Sequence, residues 1–135
     1  MANCDVAVVL VTHAPLGTAL RAVVEHVYGE SGKVTVIDVL AGACADDSTD
    51  SLLERMKQLD CGAGVLLLTD LPGASPANIC KSACASARKI GIECDVVSGV
   101  NPSMVLRAIN HCSEGLAKAT TFAIEGAART IRRVD

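Results

Sequence analysis

The chain is poor in aromatic residues: Tyr28 and Phe122 are the whole complement, and there is no tryptophan. Its formal net charge is −3. Together these exclude nucleic acid as a partner, because its recognition takes a basic footprint or a platform of stacking rings. Long hydrophobic runs are missing too. Half the residues are apolar, yet the opening stretch without formal charge, Val6 to Leu20, is broken by Thr12, His13 and Pro15. It falls short of the ~18 residues that a membrane span needs. Asp5 stands where a secretory signal would have a basic segment, so no such signal is expected.

Nucleotide-binding signatures are absent as well: there is no Gly-x4-Gly-Lys-Ser/Thr and no Gly-x-Gly-x-x-Gly. The seven cysteines (4, 44, 61, 80, 84, 94, 112) form no Cys-x-x-Cys pair and no paired Cys/His zinc spacing, so no metal site is expected. Their number is odd and they are scattered, which suggests reduced thiols and a cytoplasmic location. Cys80 and Cys84, one helical turn apart, read as small core residues.

What remains is an apolar chain of 135 residues, expected to form one domain, 1–135, with about two thirds of its surface buried. Strand and helix patterns alternate along it. The aliphatic run Val6–Val11 has no polar face, as befits a central strand buried on both sides, and stops at His13. Leu16, Leu20, Val23, Val24 and Val27 then recur at helical spacing up to Gly29. Val34–Val39 reads as a second strand. The acids Asp46, Asp47 and Asp50 precede a helix whose inner face is Leu52, Leu53, Met56 and Leu59.

A third strand, Gly64–Thr69, closes at Asp70. After the turn Leu71-Pro72-Gly73-Ala74, Ser75 is the expected N-cap and Pro76 the first residue of a helix buried through Ile79, Ala83, Ala87 and Ile90. Glu93–Val97 suggests a short fourth strand. Asn101-Pro102 opens a helix through Met104, Val105, Ala108 and Ile109. A last helical segment is expected over about 113–135, with Ala117–Ala128 either one helix or a helix plus a short exchanged strand. The pattern predicts an α/β fold: a doubly wound, mainly parallel sheet with helices on both faces, in three layers.

In such a sheet the chain returns past its first strand, so the first and third strands become neighbours and a crevice opens at their carboxyl ends. His13 and Asp70 would face each other there. A carboxylate on one imidazole nitrogen fixes the tautomer and leaves the other nitrogen's lone pair free to attack. The small residues Gly73 and Ala74, with Ser75, could offer backbone N–H groups and a hydroxyl to a phosphoryl group, and Thr12 could donate to the same oxygens. The helices that follow His13 and Ser75 would both aim their dipoles at that anion. Each feature also has a plain reading, a strand end or a Ser-Pro helix start; the pairing of His13 with Asp70 favours the chemical one. His26 and His111 have no strand-end acid partner and read as structural, His26 packing at a helix boundary.

Val8-Val9-Leu10-Val11-Thr12-His13, Leu66-Leu67-Leu68-Thr69-Asp70-Leu71-Pro72-Gly73-Ala74-Ser75-Pro76, Ile37-Asp38 and Val97-Ser98-Gly99-Val100-Asn101, in this order, resemble the mannose/fructose-type enzyme IIA of the bacterial phosphotransferase system. The resemblance covers roughly residues 5 to 110. It implies that His13 is phosphorylated by a histidine-phosphocarrier protein and passes the phosphate to a IIB-type domain. Asp70 would orient the imidazole, and Thr12, Gly73, Ala74 and Ser75 would hold the phosphate. A homodimer is implied, and a membrane link only through a permease. No cofactor is called for, since the leaving group is an imidazole rather than a nucleotide oxygen. Two alternatives stay open: a regulatory sensor whose phosphorylation state controls a kinase or transcription regulator, and the phosphocarrier subunit of a dihydroxyacetone kinase system. The middle motif fits the sugar-transport family better than the latter.

Overall fold

The computed structural model describes residues 4–30 and 32–135. Four strands, β1 (Ala7–His13), β2 (Val34–Val39), β3 (Val65–Thr69) and β4 (Cys94–Val97), form one sheet in the order β2-β1-β3-β4. Every pairing is parallel. The strands without a polar face, β1 and β3, take the two central places and pair in the register Ala7↔Val65 to Val11↔Thr69. The helices are α1 (Leu16–Tyr28), α2 (Ala45–Leu59), α3 (Ser75–Lys89), α4 (Pro102–Asn110) and α5 (Leu116–Thr130).

Side chains alternate across a strand, and the core divides accordingly. Val8, Leu10, Leu66 and Leu68 pack with α1, α4 and α5, while Val9, Val11, Val65 and Leu67 pack with α2 and α3. This is the expected three-layer, doubly wound architecture.

Several local expectations need correction. Val23 and Val27 of α1 are exposed, and the helix buries only Gly17, Leu20 and Val24. It lies over β1 and the edge strand β2, with α4 as its helical neighbour, so only a narrow part of its apolar stripe is covered. His26 is exposed on the same helix. Ile90 is also exposed, because it is the C-cap residue beyond the last turn of α3.

The N-cap of α3 is Ala74, one residue before the expected Ser75. Gly73, at φ 81°, takes the left-handed turn that glycine permits and so brings the helix start forward. The C-terminal segment is a short 3-10 turn, Cys112–Glu114, followed by the single helix α5, which stops at Thr130 rather than running to the end. His111 caps α4, where Nδ1 meets Glu114 and the ring stacks on Phe122.

The thiols are not all free. Cys4 and Cys61 form a disulfide beside the amino ends of β1 and β3, which corrects the expectation of reduced cysteines. Cys80 and Cys84 are buried in the core, as expected.

Candidate functional site

Pairing of β1 with β3 places the last residue of one strand beside the first residue after the other. One carboxylate oxygen, Asp70 Oδ2, accepts two hydrogen bonds from His13: from the backbone N–H at 3.0 Å and at ring Nδ1 at 2.8 Å. Asp70 Oδ1 accepts from the Leu71 N–H at 2.9 Å. The segment after β4 braces this acid from behind, since Gly99 N–H donates to the Asp70 carbonyl and Val100 N–H to that of Thr69.

Burial by itself would push the Asp70 carboxyl upward. The hydrogen bonds from the His13 ring, the His13 N–H and the Leu71 N–H outweigh it and hold the group below the usual carboxylate range. An ionised carboxylate can only accept, so Nδ1 must carry the proton. That leaves Nε2 as the ring nitrogen with an available lone pair and no partner among the described residues. The His13 side chain is 49% exposed, while that of Asp70 is 10% exposed. The imidazole is therefore held firmly but open to a partner.

His13 stands between two hollows. On the α2/α3 side is a crevice of about 310 Å³, lined by His13, Ser75, Ile79 and the β2–α2 connection from Val39 to Ala43. On the other side Pro15, Leu16, Ala19 and Leu71 form an open, mainly apolar collar. A group on Nε2 would be reached from a broad rim rather than through a closed small-molecule pocket. Two other hollows, of about 450 and 400 Å³, run along β4, away from His13; the collar beside His13 is larger than either, at about 490 Å³.

The other expected site residues separate. Ser75 lines the crevice at the start of α3. The Ala74 N–H is taken up by the turn to the Leu71 carbonyl, and Asn78 N–H by Ala74. Pro76 has no N–H, so the donors of Ser75 and Ala77 are left at this helix end. Gly73 shapes the turn. Thr12 is fully buried on the opposite face of β1 from His13, with Oγ1 only 3.0 Å from where a Cβ on Gly17 would sit. Its hydroxyl has no hydrogen-bond partner among the described residues and does not open on the crevice.

Nor does the N-terminus of α1 face an anion site. Asp38 occupies it, accepting from Gly17 N–H at 3.1 Å and from Thr18 Oγ1 at 2.5 Å. Of the two helix dipoles expected at the site, α3 remains. From sequence Asp38 stands out only as an acid inside the largely apolar run Val34–Val39, and that is the signal of its place here.

The site is thus an acid-oriented, half-exposed imidazole at the carboxyl edge of a parallel sheet in an α/β domain. Residues 7–124 match the family model of the fructose IIA component of the phosphotransferase system, the mannose-type IIA family, and the chain belongs to that family. Its fold is similar to that of phosphotransferase component EIIA from Streptococcus agalactiae, with TM-score 0.82, 22% identity and coverage of 95% of this chain and 96% of that one. It is also similar to the mannose/sorbose-specific IIA subunit from Enterococcus faecalis, with TM-score 0.85, 18% identity and coverage of 97% and 96%.

A third similar structure is the IIA protein associated with the fucose utilisation operon of Streptococcus pneumoniae, at TM-score 0.78, 18% identity and coverage of 98% and 96%. No curated protein sequence matches the chain. Family membership supports a phosphocarrier role in a sugar phosphotransferase system. No helix among the described residues is long and apolar enough to cross a membrane.

Proposed function

We propose that this protein is a phosphohistidine carrier in which His13 Nε2 accepts a phosphoryl group from a histidine-phosphocarrier protein and passes it to a IIB-type domain. The observation that carries this reading is the single oxygen of Asp70 on both the backbone N–H and Nδ1 of His13. It sets ring orientation and tautomer together.

In the first transfer an Nε2–P bond forms in line as the N–P bond to the carrier's imidazole breaks, and that ring leaves with the bond's electron pair. The positive charge that develops on the His13 ring is balanced by the Asp70 carboxylate 2.8 Å away. Phosphoryl transfer of this kind depends on positioning and charge stabilisation more than on covalent help. In this reading the Ser75 N–H and hydroxyl, on the crevice at the start of α3, meet the phosphoryl oxygens. The second transfer runs the same step outward to the IIB-type acceptor. The open rim suits donors and acceptors that are whole proteins, and the apolar collar around Leu16 and Leu71 gives them a surface to meet.

Intact mass after incubation with phosphoenolpyruvate, enzyme I and a charged histidine-phosphocarrier protein tests the proposal. The expected result is a gain of one acid-labile phosphoryl group that is lost in His13→Ala. A folded wild-type protein that stays unmodified would overturn the donor assignment. Light scattering on the same sample tests the homodimer that the family resemblance implies.

A further inference from the structure

The link behind His13 is as tightly held as its ring. Only Ala14 and Pro15 separate β1 from α1, so any movement of the first turn of α1 is passed to His13. That turn has no cap of its own: Pro15 is the N-cap position, no side chain caps it locally, and no acid lies in the first turn. The missing acceptor comes from the neighbouring strand. Asp38, the register partner of Thr12 on β2, takes the Gly17 N–H on Oδ1 and the Thr18 hydroxyl on Oδ2. One residue on, the Val39 carbonyl accepts the Ala14 N–H at 3.0 Å.

The contact leaves no slack. A Cβ on Gly17 would lie 2.9 Å from Asp38 Oδ1, 2.9 Å from Val36 Cγ1 and 3.0 Å from Thr12 Oγ1. The buried Thr12 hydroxyl, expected from sequence to hold phosphate, belongs to this packed junction.

We propose that Asp38 is a positioning residue for phosphoryl transfer: it anchors the N-terminus of α1 to β2 and so fixes where His13 presents its reactive nitrogen. The inference rests on the reading of His13 as the phosphoacceptor. Asp38 acts through the chain and not by touching the phosphoryl group. Its carboxylate also neutralises the positive end of α1, leaving the start of α3 as the helix end that addresses the anion.

The test compares Asp38→Ala, Asp38→Asn and the core variant Leu52→Ala by phosphorylation kinetics and by the ring signals of His13 in 15N NMR. Asparagine can still accept from Gly17 N–H and can donate to the Thr18 hydroxyl, so it keeps most of the anchor. Loss of the anchor in Asp38→Ala is expected to lower kcat for His13 phosphorylation about tenfold to a hundredfold, the scale of an ångström-sized misplacement. KM for the carrier should change less than kcat, since Pro15 and Leu16 move with the turn while Leu71, across the collar, keeps its place. The His13 Nδ1 and Nε2 signals should move, and Asp38→Asn should restore most of both readouts.

Leu52→Ala, which loosens the α2 layer (Leu52 is 0% exposed), should lower the melting temperature without moving the ring signals. Unchanged kcat and ring signals in a folded Asp38→Ala protein would overturn the proposal. So would equal effects from Leu52→Ala. The NMR readout needs no phosphate donor. A wild-type protein that is never phosphorylated would therefore sink the carrier reading, while the ring signals still decide the positioning role.

Discussion

Replacing Asp70 by asparagine is the sharpest perturbation of the site, because the side chain keeps its shape while its hydrogen-bonding changes. In the native protein Oδ2 faces two donors, the His13 N–H at 3.0 Å and Nδ1 at 2.8 Å, and Oδ1 faces a third, the Leu71 N–H at 2.9 Å. An amide offers only one acceptor atom. If its oxygen faces His13, its NH2 meets the Leu71 N–H, donor against donor. If its NH2 faces His13, it confronts the backbone N–H and forces Nδ1 to accept, which moves the ring proton to Nε2 and removes the lone pair that the proposed transfer needs. Either outcome strips the ring of the ionised partner that would balance positive charge on it in the proposed transfer.

The equivalent change in a serine-protease triad costs about 10⁴ in kcat through the wrong tautomer, and a positioned ion without that role costs less. The expected loss for Asp70→Asn is therefore about 10²–10⁴ in the rate of His13 phosphorylation, or about 3–5 kcal/mol of barrier. Rapid-quench phosphorylation by a charged histidine-phosphocarrier protein measures it directly. A rate within about threefold of wild type in a folded variant would refute the tautomer argument. Stability supplies a second readout. Asp70 has a folded-state pKa below its unfolded value, so its stabilising contribution is complete above the unfolded pKa and is lost as pH falls through the folded one. The asparagine variant should lack that part of the acid limb.

Three further outcomes follow from the packing. Gly17→Ala gains helix propensity but drives a methyl to 2.9 Å from Asp38 and Val36; overpacking should win by about 1–2 kcal/mol, a drop of about 5 °C in Tm by calorimetry, and a rise in Tm would contradict it. Iodoacetamide on the folded, oxidised protein should add one group, at exposed Cys44. Burial pushes the Cys80 thiol up to about 12 and raises Cys94 and Cys112 as well, so fast labelling of these buried thiols by mass spectrometry would count against the core as described. Cys4→Ser opens a bridge between residues separated by 57 positions, for which loop entropy gives at most about 4 kcal/mol; thermal melts should show a fall of up to about 14 °C, and no fall would mean that the bridge does not restrain the unfolded chain.

The central strands were legible because Val8–Val11 and Val65–Leu68 have no polar face, and a strand buried on both sides can only lie inside a sheet flanked by helices. From that followed the neighbouring places of β1 and β3 and the meeting of His13 with Asp70. What escaped depends on neighbours rather than on periodicity. Spacing shows that Val23 and Val27 are apolar, but not that α1 lies over an edge strand that leaves them uncovered. The acid Asp38 looks like an interruption of β2 until register sets it beside Thr12, over the first turn of α1. The disulfide has the same origin. Cys4 precedes Ala7 by three residues and Cys61 precedes Val65 by four, and only the pairing Ala7↔Val65 brings them together.

His13 is thus held by an acid from each flanking strand, Asp70 of the β3 end for the ring and Asp38 of β2 for the chain behind it. Only a central strand has neighbours on both sides to supply them. If Asp38 works by keeping Nδ1 within reach of Asp70, the two acids act as a unit, and their losses must not add. Once Asp70→Asn has removed the tautomer control, freeing the first turn of α1 has little left to misplace. The double variant Asp38→Ala/Asp70→Asn should then transfer phosphate within about threefold of Asp70→Asn alone, whereas independent effects would multiply the two losses. A fully multiplicative result in the phosphorylation assay would show that Asp38 contributes by some route other than the orientation of His13.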